Sequence, residues 1–246
     1  MTTPLPPADD LTPWPARWAG LDGAALIAAA RAALPGRLAT IASFGTESAV
    51  LLDLVAQVDP ALPVIVIDTG ELFDETHAYI ASLTAHLGLT GVTIVRPDPA
   101  EIAAAAELWQ GDPDRCCALR KVAPLARASR GYAALIDGRR RAHGFGREAV
   151  APAVLRDGVL RLSPLANLDD AGLAATFAAR ALPRHPLEAA GYRSIGCWPC
   201  TRPVGPDEPA RAGRWAGAAK TECGIHLPSF PPAAPPARTE AHPDHE

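Results

Sequence analysis

The chain's five cysteines divide four to one, and the division points to two kinds of chemistry. Cys116 and Cys117 are adjacent in GDPDRCCALRK, Cys197 and Cys200 form a C-x-x-C in IGCWPCTRP, and Cys223 stands alone in KTECGIH. A C-x-x-C by itself serves zinc sites as well as thioredoxin-like redox pairs. The distant vicinal pair narrows the choice. Zinc knuckles space their ligands by about two to four residues, whereas neighbouring cysteines can reach different iron corners of a cubane. Spacing therefore favours an iron–sulfur cluster and leaves a four-cysteine zinc site, or unrelated buried thiols, open.

Cys223 has a different neighbourhood. Lys220 lies three residues before it, Glu222 adjoins it and His226 lies three after it. A thiolate beside cationic groups has a depressed pKa and is a usable nucleophile at neutral pH. A lone cysteine is commonly an inert small hydrophobe, but KTECGIHLP is too polar a setting for that. Glycine and proline flank the segment, so it is free to move. The reading is a reactive thiol.

Anion binding is the other chemistry in view. SFGTES lies where a short apolar run meets a helical one. It offers backbone N–H groups, the Ser43 and Ser48 hydroxyls and a helix N-terminus, which together favour phosphate or sulfate. It lacks the Gly-Lys-Ser/Thr ending of a Walker A loop, which argues against a kinase-type NTPase. Arg139, Arg140, Arg141 and Arg147 follow a later apolar run, and Arg202, Arg211, Arg214 and Lys220 crowd the last cysteines. Guanidinium groups bind phosphate and sulfate oxygens bidentately. The net charge is only −4, so this local basic bias suggests a small anionic substrate and no nucleic acid. For any single arginine, a solvated charged face is the plainer alternative.

An α/β scaffold must position these groups. LATIASFG, LPVIVIDTG, GVTIVRP and YAALIDG read as buried strands, and LDGAALIAAARAAL, ESAVLLDLVAQV, DETHAYIASLTAHLG, PAEIAAAAELW and CALRKVAPLARAS as helices. Asp22 is placed to cap the first helix and Pro35-Gly36 to stop it. The alternation predicts one parallel sheet with helices on both faces, whose ligands sit outside the carboxyl ends of the strands. SFGTES, DTGELF and DGRRR each follow a strand directly, so one crevice can hold all three. The chain beyond residue 150 is less regular.

The expected layout is an N-terminal tail over 1–20, one α/β domain over 21–226 whose C-terminal segment from about 203 carries Cys223, and a disordered Pro-rich tail over 227–246. Hydrophobic residues make up 48% of the chain, enough for a sizeable core. No apolar run approaches the roughly 20 residues of a membrane span. The N-terminus lacks the basic and apolar regions of a secretory signal. A soluble cytoplasmic protein with no membrane partner and with reduced thiols is expected.

In chain order, SFGTESAVLLDL, IDTGELFDETHAY, CCALRKVAPL, DGRRR, GYRSIGCWPCTRPV, RAGRW and KTECGIH resemble the assimilatory sulfonucleotide reductases over about residues 36–228. The string GC-x-PCTRPV…RAGRW…KTECGIH is the most specific part. Both cysteine pairs are kept in that family's cluster-bearing branch, the adenylyl-sulfate (APS) reductases. The clusterless branch keeps only the ECG-x-H cysteine and uses the 3′-phosphorylated nucleotide, PAPS. The resemblance implies an adenine nucleotide alpha-hydrolase-like fold of the PP-loop type with a mobile C-terminal segment. It also implies one [4Fe–4S] cluster per subunit, on Cys116, Cys117, Cys197 and Cys200.

The chemistry so implied is attack of Cys223 on the sulfur of APS, loss of AMP, and reduction of the resulting S-sulfocysteine by thioredoxin or glutaredoxin. Ser43, Phe44, Gly45 and Ser48 are expected to contact the nucleotide, with Asp68, Thr69 and Gly70 near the adenosine. Arg120 follows the vicinal cysteines, and Lys121 is expected between cluster and substrate. Arg140, Arg211 and Arg214 are expected on the phosphate and sulfate oxygens, and His226 to assist at the active site. A homo-oligomer stays open. Three stretches depart from the family pattern: PLANLDDAGLAATF, PRHPLEAAGY, and Ala123 where a Glu is usual. They put packing and oligomer contacts in doubt and leave every cysteine in place.

Overall fold

β-Branched and leucine-rich runs form short strands, and helices between them return the chain to the same end of one sheet. The computed structural model describes residues 10–144, 146–216 and 220–226. In order, its elements begin α1 (Trp14–Arg17), α2 (Gly23–Ala33), β1 (Leu38–Ile41), α3 (Ser48–Val58), β2 (Val64–Ile67), α4 (Asp74–Leu87) and β3 (Val92–Val95). Then come α5 (Pro99–Ala104), α6 (Leu108–Gly111), α7 (Pro113–Cys117), α8 (Ala123–Ala128) and β4 (Ala134–Ile136). A hairpin, β5 (Ala153–Arg156) and β6 (Val159–Leu162), and α9 (Asp170–Ala179) complete the set.

The strand order is β3-β2-β1-β4-β6-β5, parallel throughout except for β5, which runs antiparallel to β6. The chain leaves β1 toward one edge and returns on its other side as β4. Their carboxyl ends flank a topological switch point, the place where open α/β sheets bind ligands.

Side chains alternate across the strands as the pleat requires. Leu38, Val64, Val66, Ala134, Ile136, Leu160 and Leu162 join the larger core with α2, α3, α4 and α9. Ala39, Ile65, Leu135 and Val159 face a smaller core with Leu125 of α8, onto which Ile225 also packs. Helices thus cover both faces, as expected, except at the β3 edge, where Thr93 and Ile94 are exposed.

Four expectations change. The N-terminal tail is shorter than 1–20, because Trp14 and Trp18 are buried in the larger core with their rings 4.8 Å apart. The helix expected over 99–109 is broken at Glu107, which takes a left-handed φ of 57° between α5 and α6. The helix expected over 117–129 starts earlier, at Pro113, where Asp112 accepts from the Arg115 N–H, and it runs through a π-helical turn at Ala118–Val122. The region beyond 150 holds a hairpin turned at Asp157-Gly158, both with positive φ, as a type I′ turn demands. Asp22 occupies the N-cap of α2 but makes no side-chain bond to it. The tail expected over 227–246 lies outside the described residues, and among those residues no helix is long and apolar enough to cross a membrane.

PRHPLEAAGY packs against α4 through His185, which is 1% exposed. Its Nδ1 accepts from the Leu187 N–H at 3.2 Å, so Nε2 carries the proton toward Thr76 Oγ1 at 3.1 Å. Burial lowers its pKa from 6.5 to about 4. Between those values the unfolded chain takes up a proton that the folded chain refuses, so this residue costs stability as pH falls from 6.5 toward 4. Denaturant titrations should show the stability gap between wild type and His185→Gln shrinking by up to about 3 kcal/mol over that range.

Candidate active site

The turn after β1 opens the cavity. Phe44 takes a left-handed φ of 48° and sends its ring into the core, fully buried. Such backbone is strained in a bulky residue and persists only where packing fixes it. The reversal leaves Ser43, Gly45 and Ser48 lining the cavity at the N-terminus of α3. Phe44 itself is therefore a packing residue and does not line the cavity.

The loop after β2 divides its residues. Thr69 lines the cavity, and its Oγ1 lies 3.3 Å from Cys197 Sγ. Asp68 turns away to accept from Arg96 at 2.8 Å and from the Gly70 N–H at 3.0 Å. Burial opposes its ionisation, but those two donors hold its pKa below the usual carboxylate value. Gly70 has φ +74°, and the nearest group to its missing side chain is the Arg120 guanidinium. Arg120, only 6% exposed, donates to the Thr69 carbonyl at 2.7 Å and pairs with Glu71 at 3.1 Å. Asp68, Gly70 and Arg120 thus build the loop and do not line the cavity.

Arg140 is the main correction. Its side chain is 1% exposed and points away from the cavity. It donates to Glu47 at 2.8 and 2.9 Å, to Asp170 at 2.8 Å and to the Leu168 carbonyl at 2.9 Å. Glu47 also meets His143 Nε2 at 2.6 Å. Burial raises the Glu47 pKa, but the His143 and Arg140 bonds outweigh it and hold the carboxyl down to about 2. The alternating geometry of the DGRRR loop puts Arg139 in the cavity instead, beside Asp137 and with His143 and Arg147 close by. Spacing alone could not say which of three consecutive arginines turns inward.

The four paired cysteines are free thiols on two segments that pack together. Cys116, Cys117 and Cys197 are 8%, 6% and 7% exposed, and Cys200 is half-buried. Burial raises the pKa of Cys116, Cys200 and Cys117, the last to about 11, and the charge of Cys197 adds to each shift. Among the described residues, no group of three or more His, Cys, Asp or Glu is arranged to hold a metal ion. The C-x-x-C segment is clamped by the RAGRW stretch: Arg202 N donates to the Gly213 carbonyl, and Trp215 N to the Cys200 carbonyl, each at 3.0 Å. A Cβ on Gly213 would come within 2.2 Å of the Arg202 carbonyl oxygen, so only glycine permits this approach.

Lys121 projects into the cavity from the π-helical turn, between the cysteines and the open space. Burial lowers its pKa, but the charges of Cys197, Cys223 and Cys117 win and hold it above the ordinary lysine value. Arg211 donates to the Thr221 carbonyl at 2.8 Å, and Arg214 to the Ile195 carbonyl at 3.0 Å, and both line the cavity. Cys223 and His226 complete the lining from segment 220–226. That segment is docked by polar contacts: Lys220 with Asp114, Arg147 with Glu222 at 2.9 Å, and Arg156 with the His226 carbonyl at 2.9 Å. Lys220 therefore pairs with Asp114, not with the thiol. Six cationic side chains and three carboxylates (Glu47, Asp137, Glu222) line the whole cavity, an excess suited to an anion.

Replacing Arg140 with Met should strip the partly buried Glu47 carboxylate of its guanidinium partner and leave it only His143, costing about 1–3 kcal/mol in a denaturant titration. The double variant with Glu47→Gln should recover part of that loss. Arg211→Gln, in contrast, should leave stability nearly unchanged while weakening anion binding.

A family model described as the phosphoadenosine phosphosulfate reductase domain matches residues 37–203. An adenosine 5′-phosphosulfate reductase of Chelativorans sp. (strain BNC1) is 47% identical over 79% of this chain and 81% of its own. One of Mesorhizobium japonicum is 45% identical over 80% of this chain and 79% of its own. The crystal structure of phosphoadenylyl-sulfate (PAPS) reductase from Candida auris, in a phosphate complex, superposes with a TM-score of 0.66 at 26% identity, covering 82% of this chain and 99% of that one. The fold is accordingly of the adenine nucleotide alpha-hydrolase type. With a switch-point cavity, two largely buried cysteine pairs and these relatives agreeing, the chain belongs to the phosphoadenosine phosphosulfate reductase domain family.

Proposed function

We infer that this chain reduces adenosine 5′-phosphosulfate to sulfite and AMP in sulfate assimilation, with Cys223 as the nucleophile. The observation that carries the reading is that one cation-rich cavity at the strand ends gathers Cys223, Lys121, Arg211 and Arg214. The relatives that share most of its length carry the same activity in their names. Ser43, Gly45 and Ser48 at the start of α3 suit a nucleotide phosphate. Lys121, Arg211 and Arg214 offset the charge of the phosphosulfate and of the departing AMP.

The Cys223 thiolate attacks the sulfur, the S–O bond to phosphate breaks, and AMP leaves with the electron pair. The enzyme then carries S-sulfocysteine at Cys223. A thioredoxin or glutaredoxin thiolate attacks Cys223 Sγ, sulfite leaves with the electrons of the S–S bond, and the partner's second thiol resolves the mixed disulfide. Segment 220–226 must meet both substrate and reductant. Its docking through exchangeable ion pairs and carbonyl contacts suits a lid that opens between the two steps. A reducing, cytoplasmic setting follows from that thiol chemistry.

Cys116, Cys117, Cys197 and Cys200 would hold a [4Fe–4S] cluster. Four free, mutually interacting thiols form an all-sulfur donor set, and a cubane lets each reach its own iron instead of closing round one point. When bound, the cluster supplies fixed charge and rigidity beside Lys121, and needs no change of oxidation state for this reaction.

Anaerobically purified protein incubated with APS should gain one sulfonate by intact mass, located on Cys223. Steady-state kinetics should favour APS over PAPS. Cys223→Ser should keep iron and the visible absorbance while forming no adduct and no sulfite. Cys197→Ser should lose absorbance, iron and activity together. A strong preference for PAPS, or one zinc and no colour, would refute the corresponding part.

A further inference from the structure

Asp137, the residue directly after β4, is a buried carboxylate in a cavity built for an anion. It is 3% exposed, yet it is not there to offset substrate charge. Its Oδ1 accepts from the Arg139 backbone N–H at 3.1 Å and from the Ser163 hydroxyl at 2.8 Å. Its Oδ2 accepts from Arg139 Nε and Nη2, each at 3.0 Å. Three donor groups on two loops thus fix one anion in one orientation. The remaining face of Oδ2 looks at His226 Nδ1, 3.8 Å away.

We propose that Asp137 is a positioning residue for the proposed APS reaction: it orients the His226 imidazole by drawing its Nδ1–H toward Oδ2, which leaves the Nε2 lone pair for the reacting groups. The inference rests on the functional reading above, in which Cys223 acts from the docked segment that also carries His226. A separation of 3.8 Å is too long for a hydrogen bond, and catalytic contacts of this kind often tighten only in the complex with substrate. Among the described charged groups that face the ring, no other carboxylate is free for this part. Arg139 beside Asp137, Arg147, Arg156 of β5 and Arg161 of β6 are cations that repel an N–H, and Glu222 is engaged by Arg147. The backbone on the far side is held as well, since Arg156 donates to the His226 carbonyl.

Burial pushes the His226 pKa down to about 4, against the opposing pull of Asp137, so the ring enters the reaction neutral. A neutral imidazole has a single N–H, and its partner decides which nitrogen carries it. Were Asp137 replaced by Asn, the amide could donate to Nδ1 and turn the ring to the opposite tautomer. Loss of the carboxylate charge would also lower the imidazole pKa further, so an acid limb set by His226 moves to lower pH.

The test is single-turnover sulfonation of Cys223, followed by intact mass across pH, in the anaerobically purified full chain. Asp137→Asn should slow adduct formation at saturating APS by roughly 10- to 100-fold, with the half-saturating APS concentration held within about threefold. Its acid limb should shift downward. In a His226→Gln background the same change should add almost nothing, because the two residues act as one unit. Equal rates in wild type and Asp137→Asn, or fully additive losses with His226→Gln, would overturn the inference while leaving the functional reading intact. Absence of an adduct on the wild type would overturn both. If Asp137→Asn does not fold, Ser163→Ala loosens the same carboxylate without removing its charge. It should slow sulfonation a few-fold in wild type and not in His226→Gln, and equal slowing in both would overturn the inference.

Discussion

Six cations share one partly enclosed cavity, and the five arginines among them are each tied to something other than an incoming anion. Mutual repulsion in a low-dielectric pocket would otherwise splay them outward. Here the ties are specific. Arg139 is held by Asp137, Arg147 by Glu222, Arg193 by the carbonyls of Pro206 and Glu208, Arg211 by that of Thr221 and Arg214 by that of Ile195. Because most of these anchors are backbone oxygens or residues of the C-terminal half, the irregular chain after β6 is folded around the cations. Its shape is set by where positive charge must be kept.

The same ties connect distant parts of the sequence. Glu47, at the start of α3, reaches Arg140 and His143, and His143 Nδ1 contacts Arg147, which holds Glu222 beside Cys223. The N-terminus of α3 and the Cys223 segment are thus coupled through four charged or titratable side chains. Among the described residues of that segment, Ile225 supplies the apolar packing. A segment held by many weak polar contacts is positioned well and released at modest cost.

Much of the scaffold was legible in the sequence because it depends on local pattern. The β-branched runs, the SFGTES turn and the division of the cysteines rest on residue type and spacing, and the parallel sheet, though not its strand order, follows from the βα alternation. The hairpin at Asp157-Gly158 was missed, although PAVLRDGVLRL carries short apolar runs on either side of a D-G turn. What sequence could not supply was the direction of individual side chains. Arg139 and Arg140 are adjacent and identical in type, yet one faces the cavity and the other is sealed against Glu47. Asp137 was visible in DGRRR, but its meeting with His226 joins positions 89 residues apart that only the folded sheet brings together. Trp14 and Trp18 sat in a proline-rich stretch whose composition masked two core residues.

The π-helical turn at Ala118–Val122 has a consequence for how this chain can vary. It is one residue of slack in a helix that otherwise runs from Pro113 to Ala128. Each α-helical residue turns the chain by about 100°, and the wider turn absorbs one such step, so Cys116 and Cys117 on one side and Leu125 on the other keep their separate places. Deleting that one residue would restore regular winding with both flanks in place, and would cost only the widened turn from which Lys121 enters the cavity. A change of length elsewhere in the helix would rotate the cysteines against Leu125. What the extra residue sets is therefore the aim of one lysine, and the helix around it should accept exchanges of side chain far more readily than changes of length.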